Sequence, residues 1–314
     1  MTDKQGVVQY NSILILGATA CGKTGLGVDL AHFLEARGIK AEIISADSRQ
    51  VYKGLDIGSG KDLFEYGDIP YHLIDIADLA NEYNVFSFQK DFYHIFSQLK
   101  SKNVLPLVVG GTGMYLDSVV RGYDFVEVPV NEILRKELEP LSLSDLAERL
   151  LSLKNEIHNR TDLDERERLI RAIEIVDYNI HHKNSASAPI RPSIVPLILG
   201  VKFERSVLRS RIKDRLEQRI RLGLAEEVKY LHDTGTSWER LERLGLEYRF
   251  TAEYLQGKIS SEQEWIASLY TAICQFAKRQ ETWFRGMERK GVSIQWIPDG
   301  DREIAHSLVE PFFS

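Results

Sequence analysis

The sequence predicts an α/β fold, a parallel sheet flanked by helices and interrupted by a helical insertion. Three observations carry this. Short apolar runs without polar alternation recur through the first 110 residues and again near residue 200, as buried parallel strands do. Segments with apolar residues at helical spacing separate them. Two of the runs, residues 12–16 and 105–109, lead straight into glycine-rich turns that open into helical patterns.

The first turn is Gly17-Ala18-Thr19-Ala20-Cys21-Gly22-Lys23-Thr24, which fits the phosphate-loop pattern G-x-x-x-x-G-K-[ST]. Before it lies the apolar run 12–16. After it a helical pattern reaches residue 37, with Leu26, Leu30, Phe33 and Leu34 in register and Gly38 as a stop. The motif thus stands between a strand and a helix N-terminus, where backbone N–H groups and the helix dipole favour an anion. The glycines let the chain approach phosphate oxygens, Lys23 supplies a cation and Thr24 a hydroxyl for Mg²⁺. A P-loop NTPase-like sheet follows, and with it a di- or triphosphate ligand whose identity this stretch leaves open. Cys21 occupies a variable loop position and reads as a small filler.

Composition bounds the rest. The 314 residues suffice for one large or two medium domains, and 43% hydrophobic with 27% charged residues is ordinary for a soluble globular protein. A net charge of −6 excludes a broadly basic surface, so any nucleic-acid contact must use local patches. Two cysteines, Cys21 and Cys274, suggest neither a disulfide framework nor a metal cluster and fit a reducing cytosol. Residues 1–9 lack a signal-peptide core, and no apolar run approaches bilayer length. A cytoplasmic protein, with nothing demanding more than a monomer, is expected.

Residues 41–45 read as a second strand that delivers Asp47-Ser48-Arg49-Gln50 to the sheet edge where ligands bind. Asp47 there suits a proton acceptor or the holder of a magnesium-bound water; a turn or cap Asp is the alternative. Residues 55–61 form a glycine-rich loop, 72–76 a strand, and 85–100 a helix whose Phe88, Phe92 and Phe96 serve the core. The strand 105–109 runs into Gly110-Gly111-Thr112-Gly113 and a helix over 114–120. Its amides and the Thr112 hydroxyl suit the other wall of one anion cleft.

From residue 125 strands disappear. Residues 132–154 and 164–178 look helical and heavily charged, with a break at 159–162. This predicts a helical insertion over 125–188 on a core of 1–124 and 189–314. Arg166, Arg168 and Arg171 suit phosphate contacts, although they alternate with Asp164, Glu165 and Glu167 as on a solvated face. Residues 181–192 read as a linker, with His181 and His182 at the surface. The sheet resumes over 194–201, where Pro196 suits an edge or a bulge. A helix over 206–231 carries Leu208, Ile212, Leu216 and Ile220 on one stripe and Arg211, Arg215 and Arg219 on the next. Those guanidiniums suit bidentate phosphate binding at a cleft lip, or pairing with Asp214 and Glu217. Helices over 238–255 and 261–290 follow, the second opening on a capping box at Ser261 to Glu264, and residues 292–297 make a last strand. Within 278–285, basic and aromatic residues interleave, which suits RNA or simply a core Trp and Phe flanked by surface charge.

Taken in order, the phosphate loop, Ser45-Ala46-Asp47-Ser48-Arg49-Gln50-Val51-Tyr52, Leu55-Asp56-Ile57-Gly58, His72-Leu73-Ile74-Asp75, Gly110-Gly111-Thr112-Gly113-Met114-Tyr115-Leu116, the Arg211–Arg219 stripe and Arg279-Gln280-x-Thr282-Trp283-Phe284-Arg285 form a set. With it the chain resembles the tRNA dimethylallyltransferases (tRNA isopentenyltransferases) over nearly its whole length. The resemblance implies that the phosphate loop holds dimethylallyl diphosphate and that the prenyl group passes to N6 of the adenosine at position 37 of tRNA, beside the anticodon. Lys23, Thr112 and Arg215, with Mg²⁺ on Thr24, would then stabilise the leaving diphosphate, Arg211 being companion or alternative. Asp47 would accept the amine proton. Asp47, Ser48, Arg49, Gln50 and Thr112 would receive the extruded base, and Arg135, Glu167, Arg168, Leu169, Ile170 and Arg171 would grip the anticodon stem-loop. The chain departs from the family pattern at Ala18, where Pro is usual, in lacking an Asp-Pro-x-x-Ala segment before the insertion arginines, and at Gly245-Leu246-Glu247-Tyr248-Arg249. A small-molecule kinase using ATP on the same loop is the other enzymatic reading. A non-catalytic RNA-binding module is a third, and a prenyltransferase acting on free adenine nucleotides a close variant of the first.

Overall fold

The structure, a computed structural model, describes residues 9–123, 125, 128–153, 166–182 and 191–313. Its sheet has six parallel strands, β1 (Ser12–Gly17), β2 (Ala41–Ser45), β3 (Tyr71–His72), β4 (Leu105–Gly110), β5 (Pro196–Lys202) and β6 (Gln295–Pro298), in the order β3-β2-β4-β1-β5-β6. β1 is central, and its continuous apolar run has a direct cause. Ile13 and Ile15 enter one core with α1 (Lys23–Glu35) and α7 (Arg205–Arg221). Leu14 and Leu16 enter another with α2 (Val85–Ser101), α3 (Gly113–Val120) and α11 (Glu262–Arg289). Both faces are covered, so Ile13 to Leu16 are all apolar.

The chain divides into two compact units, residues 1–123 with 191–314, and residues 124–190. The smaller contains α4 (Glu132–Leu138), α5 (Leu143–Leu153) and α6 (Arg166–His181), packed on their own core of Leu134, Leu138, Leu146, Leu150, Leu169 and Ile173. The expected break at 159–162, Asp164, Glu165 and most of the 181–192 linker lie outside the described residues.

Several expected elements are shorter or divided. The segment 132–154 splits into α4 and α5, with Pro140 between them. The strand expected over 72–76 stops after His72, because Leu73 and Asp75 take left-handed backbone (φ 62° and 55°). Pro196 is at neither an edge nor a bulge. It opens β5, which lies between β1 and β6, and the first residue of a strand tolerates a missing donor. The helix expected over 206–231 divides at Gly223 into α7 and α8 (Leu224–Asp233), and that over 238–255 divides before Gly245 into α9 (Trp238–Arg243) and α10 (Leu246–Leu255). Residues 295–298 form the last strand, followed by α12 (Arg302–Val309).

Candidate active site

The phosphate loop leaves β1 at Gly17 and enters α1 at Lys23. The Lys23 ammonium turns back over the loop, donating to the Ala18 carbonyl at 2.7 Å and lying 3.8 Å from Cys21 Sγ. Arg211, from α7, donates through Nε to the Ala20 carbonyl at 2.9 Å, its guanidinium stacked over Phe203. Two cations are therefore fastened to the loop through different carbonyls. A third side chain arrives from α11. Gln280 Oε1 accepts from Thr19 N–H at 2.8 Å, and its Nε2 donates to the Gly111 carbonyl at 2.8 Å. Glycine at 111 is what permits this approach, since a Cβ there would lie 2.6 Å from Gln280 Nε2 and 3.5 Å from Lys23 Nζ. Burial pushes the phenol of Tyr66 well above its ordinary pKa, with Asp47 adding to the rise and nearby Thr24 opposing it.

Asp47 follows β2. One of its oxygens, Oδ1, accepts from the backbone N–H of Arg49 at 2.8 Å and of Gln50 at 3.4 Å. The other accepts no hydrogen bond among the described residues. The turn and proton-acceptor readings are thus compatible, one oxygen each. Thr112 joins this segment to the second glycine turn: its Oγ1 accepts from Ser48 N–H at 3.1 Å, and its own N–H donates to the Ala46 carbonyl at 3.3 Å. Gln50, expected to meet a base, turns inward instead. It accepts from the Ser45 hydroxyl at 2.9 Å and donates to the Gly60 carbonyl at 3.1 Å, so its amide is engaged within the fold.

The arginine stripe of α7 fans out. Arg211 meets the phosphate loop, whereas Arg215 lies against Gly60 so closely that any side chain there would run into its guanidinium; Gly60 also has φ +65°. Arg219 is buried and makes a two-pronged pair with Asp62. The loop carrying Gly60 is anchored from elsewhere. Glu227 on α8 accepts from the amides of Asp56, Ile57 and Gly58 at 3.0, 2.6 and 3.0 Å, and Tyr248 on α10 donates its hydroxyl to Glu227 while accepting from Ser59 N–H. Lys61 is buried between Asp56, Asp75 and the Tyr52 carbonyl. Burial raises the pKa of Glu65, helped by Asp62 and opposed by Arg215 and Arg219. Burial likewise raises Glu247, in the first turn of α10; Asp47 adds to the rise, and Arg215 and Arg49 oppose it. A second carboxyl therefore stands in the electrostatic surroundings of Asp47 and Arg215.

Sequence reasoning passed over Gln280, Glu227, Glu247 and Tyr66 as site builders. Gln280 did stand in the 279–285 motif, whose interleaved Phe284 is core and whose Gln280 reaches the phosphate loop.

In the smaller unit, Arg135 and Arg171 converge on one buried carboxylate. Arg135 binds Glu174 in two-pronged fashion at 2.8 and 2.9 Å, and Arg171 binds it at 3.1 Å while donating to the Val128 carbonyl at 2.7 Å. Burial alone would raise the Glu174 pKa, but Arg135, the Asn131 amide and Arg171 outweigh it and hold the carboxylate below its ordinary value. Leu169 is fully buried in the unit's core and Ile170 packs beside it, while Glu167 and Arg168 are exposed. Arg166 donates to the carbonyls of Leu138, Glu139 and Leu141, capping the end of α4.

Among the described residues no helix is long and apolar enough to cross a membrane, and no group of three or more His, Cys, Asp or Glu could hold a metal ion. A Mg²⁺ held through Thr24 would need no such group, because one hydroxyl, phosphate oxygens and water complete its preferred shell.

The sequence profile of the IPP transferase family matches residues 50–287. A protein named tRNA dimethylallyltransferase 2 from Treponema denticola is 55% identical over 291 residues, covering 92% of this chain and 96% of its own length. The protein of the same name from Syntrophotalea carbinolica is 50% identical, covering 97% and 99%. Among solved structures, the full-length tRNA isopentenylpyrophosphate transferase of Bacillus halodurans superposes with a TM-score of 0.69 at 29% identity, covering 98% of this chain and 97% of that one. A eukaryotic dimethylallyltransferase acting on tRNA shares the fold, with a TM-score of 0.72 at 22% identity over 96% of this chain and 77% of its own. With its phosphate loop, its second glycine turn and relatives matched almost end to end, the chain belongs to the IPP transferase family.

Proposed function

We propose that the chain transfers a dimethylallyl group from dimethylallyl diphosphate to N6 of the adenosine at position 37 of tRNA, releasing diphosphate. One observation carries the chemistry. An anion cradle on β1 and a carboxylate beyond β2 flank the glycine turn of β4, and Thr112 ties that turn to the residue after Asp47. The names of the matched relatives support the transferred group and the tRNA acceptor.

In the reaction, the allylic C–O bond breaks, its electron pair leaves with the diphosphate, and a new C–N6 bond forms as N6 gives up a proton. Charge grows on the leaving oxygens, where Lys23, the amides of the loop and Arg211 stabilise it, with Arg215 alongside. The uncommitted oxygen of Asp47 takes the amine proton. Thr24 would hold Mg²⁺, which when bound supplies further neutralisation of the leaving group. The target base leaves its stack to react, against Ser48, Arg49 and Thr112. Glu167 and Arg168, with the backbone around Leu169 and Ile170, contact the anticodon stem, and Arg135 and Arg171, held on Glu174, add positive charge there. The enzyme acts as a monomer in the cytoplasm. An ATP-dependent kinase is not favoured, since no relative described above carries a kinase name.

The test is incubation with unmodified tRNA, Mg²⁺ and either dimethylallyl diphosphate or ATP, followed by nucleoside mass spectrometry. N6-dimethylallyl adenosine should form with the prenyl donor alone. ATP hydrolysis without prenylated base would select the kinase instead.

A further inference from the structure

Gln280 stands where the phosphate loop meets the second glycine turn. It is 7% exposed, and both ends of its amide are engaged, Oε1 by Thr19 N–H and Nε2 by the Gly111 carbonyl. The two bonds fix the orientation of the amide, because exchanging its oxygen and nitrogen would oppose donor to donor at Thr19 and acceptor to acceptor at Gly111. A phosphate loop cradles successive phosphates with successive backbone amides, and its lysine reaches the outer ones. Lys23 marks that outer end: its ammonium lies at the Ala18 carbonyl and, like Gln280 Nε2, faces the space a Cβ on Gly111 would fill. The N–H of that same peptide unit, on Thr19, is already taken by a neutral side chain. An additional phosphoryl group there would find its donor occupied and its own oxygens set against Gln280 Oε1, an acceptor facing acceptors.

We propose that Gln280 is a specificity-determining residue that closes the phosphate loop after two phosphates, admitting a diphosphate ester and excluding a nucleoside triphosphate. The same side chain spans the two turns and sets their separation. The proposal rests on the diphosphate reading given above and adds the reason that reading excludes ATP.

The test is calorimetric titration of the full-length chain with pyrophosphate and with tripolyphosphate, each with Mg²⁺. The parent should bind pyrophosphate at least about tenfold more tightly. Gln280→Ala should bring the two within about threefold, by tightening tripolyphosphate as well as weakening pyrophosphate. Gln280→Asn, one methylene too short to reach both partners, should move the ratio the same way and serves if the alanine variant does not fold. A ratio unchanged in a folded variant, or equal loss of both ligands as from simple structural damage, overturns the proposal while leaving the diphosphate reading intact. A parent that binds tripolyphosphate as well as pyrophosphate also overturns it. A parent that binds neither pyrophosphate nor dimethylallyl diphosphate sinks the diphosphate reading and this proposal with it.

Discussion

At Asp47 the division of labour is between two atoms of one carboxylate. Oδ1 holds the turn through Arg49 and Gln50, and the second oxygen, which accepts no hydrogen bond among the described residues, is the one proposed to take the proton. Asp47→Asn keeps an acceptor for the turn and loses the base. Prenyl transfer should therefore fall by about 10²–10⁴-fold while pyrophosphate affinity stays within about twofold. Parallel loss of both in calorimetry and turnover assays would remove Asp47 from that role. Glu247 presents the opposite case, a carboxyl that burial makes reluctant to ionise. Its folded pKa lies above its unfolded one, so between the two the native state binds more protons and stability falls as pH rises. Glutamine does not titrate. The melting temperature of Glu247→Gln relative to the parent should rise as pH climbs above the ordinary glutamate pKa of about 4.3. A pH-independent difference in thermal melts would contradict the burial described for Glu247.

Elements matter here chiefly as delivery devices. The loop between β2 and β3 has little regular structure, yet α7, α8 and α10 all fasten it, through Arg219, Glu227 and Tyr248. Removing Glu227 would leave three amides without their acceptor. Glu227→Ala should cost about 2–4 kcal/mol, seen as a lowered melting temperature, and should slow transfer because Arg215 rests on the same loop. Glu227→Gln, which retains an acceptor oxygen, should lose less on both counts; equal losses would mean that the amides do not depend on that oxygen. This loop also marks what was legible in the sequence. The phosphate loop, Asp47 and Thr112 stood out because their chemistry is encoded within a few neighbouring residues. The anchors did not: Glu227 lies 170 residues from Ile57, and Gln280 lies 169 from Gly111. Helical periodicity found α7 with α8 and α9 with α10 but ran through the glycines dividing them, because apolar spacing persists across a tight turn. The expected strand over 72–76 failed for a tertiary reason as well. Buried Lys61 draws in Asp75, whose backbone is left-handed.

For the whole molecule, an acidic chain must confine its RNA contacts to chosen places. In the helical unit, two of the expected arginines share the buried Glu174 carboxylate, so their placement and the unit's stability are linked. Glu174→Ala would remove from both guanidiniums the buried carboxylate they share. Because each arginine is more than a third exposed, at 41% and 35%, the cost should be nearer about 1–3 kcal/mol than that of a fully buried pair. Thermal melts and limited proteolysis should register the change in residues 124–190, with pyrophosphate binding unaffected. Loss of pyrophosphate binding would show that the damage reaches the other unit. The phosphate loop and α11, for their part, join distant parts of the sequence: Thr19 and Gln280 are bonded across 261 residues. A nascent chain emerging from the ribosome makes its phosphate loop long before α11 and must wait for that helix to complete it. Products of premature termination before α11 would carry the motif intact and still lack the Gln280 bridge between the two glycine turns.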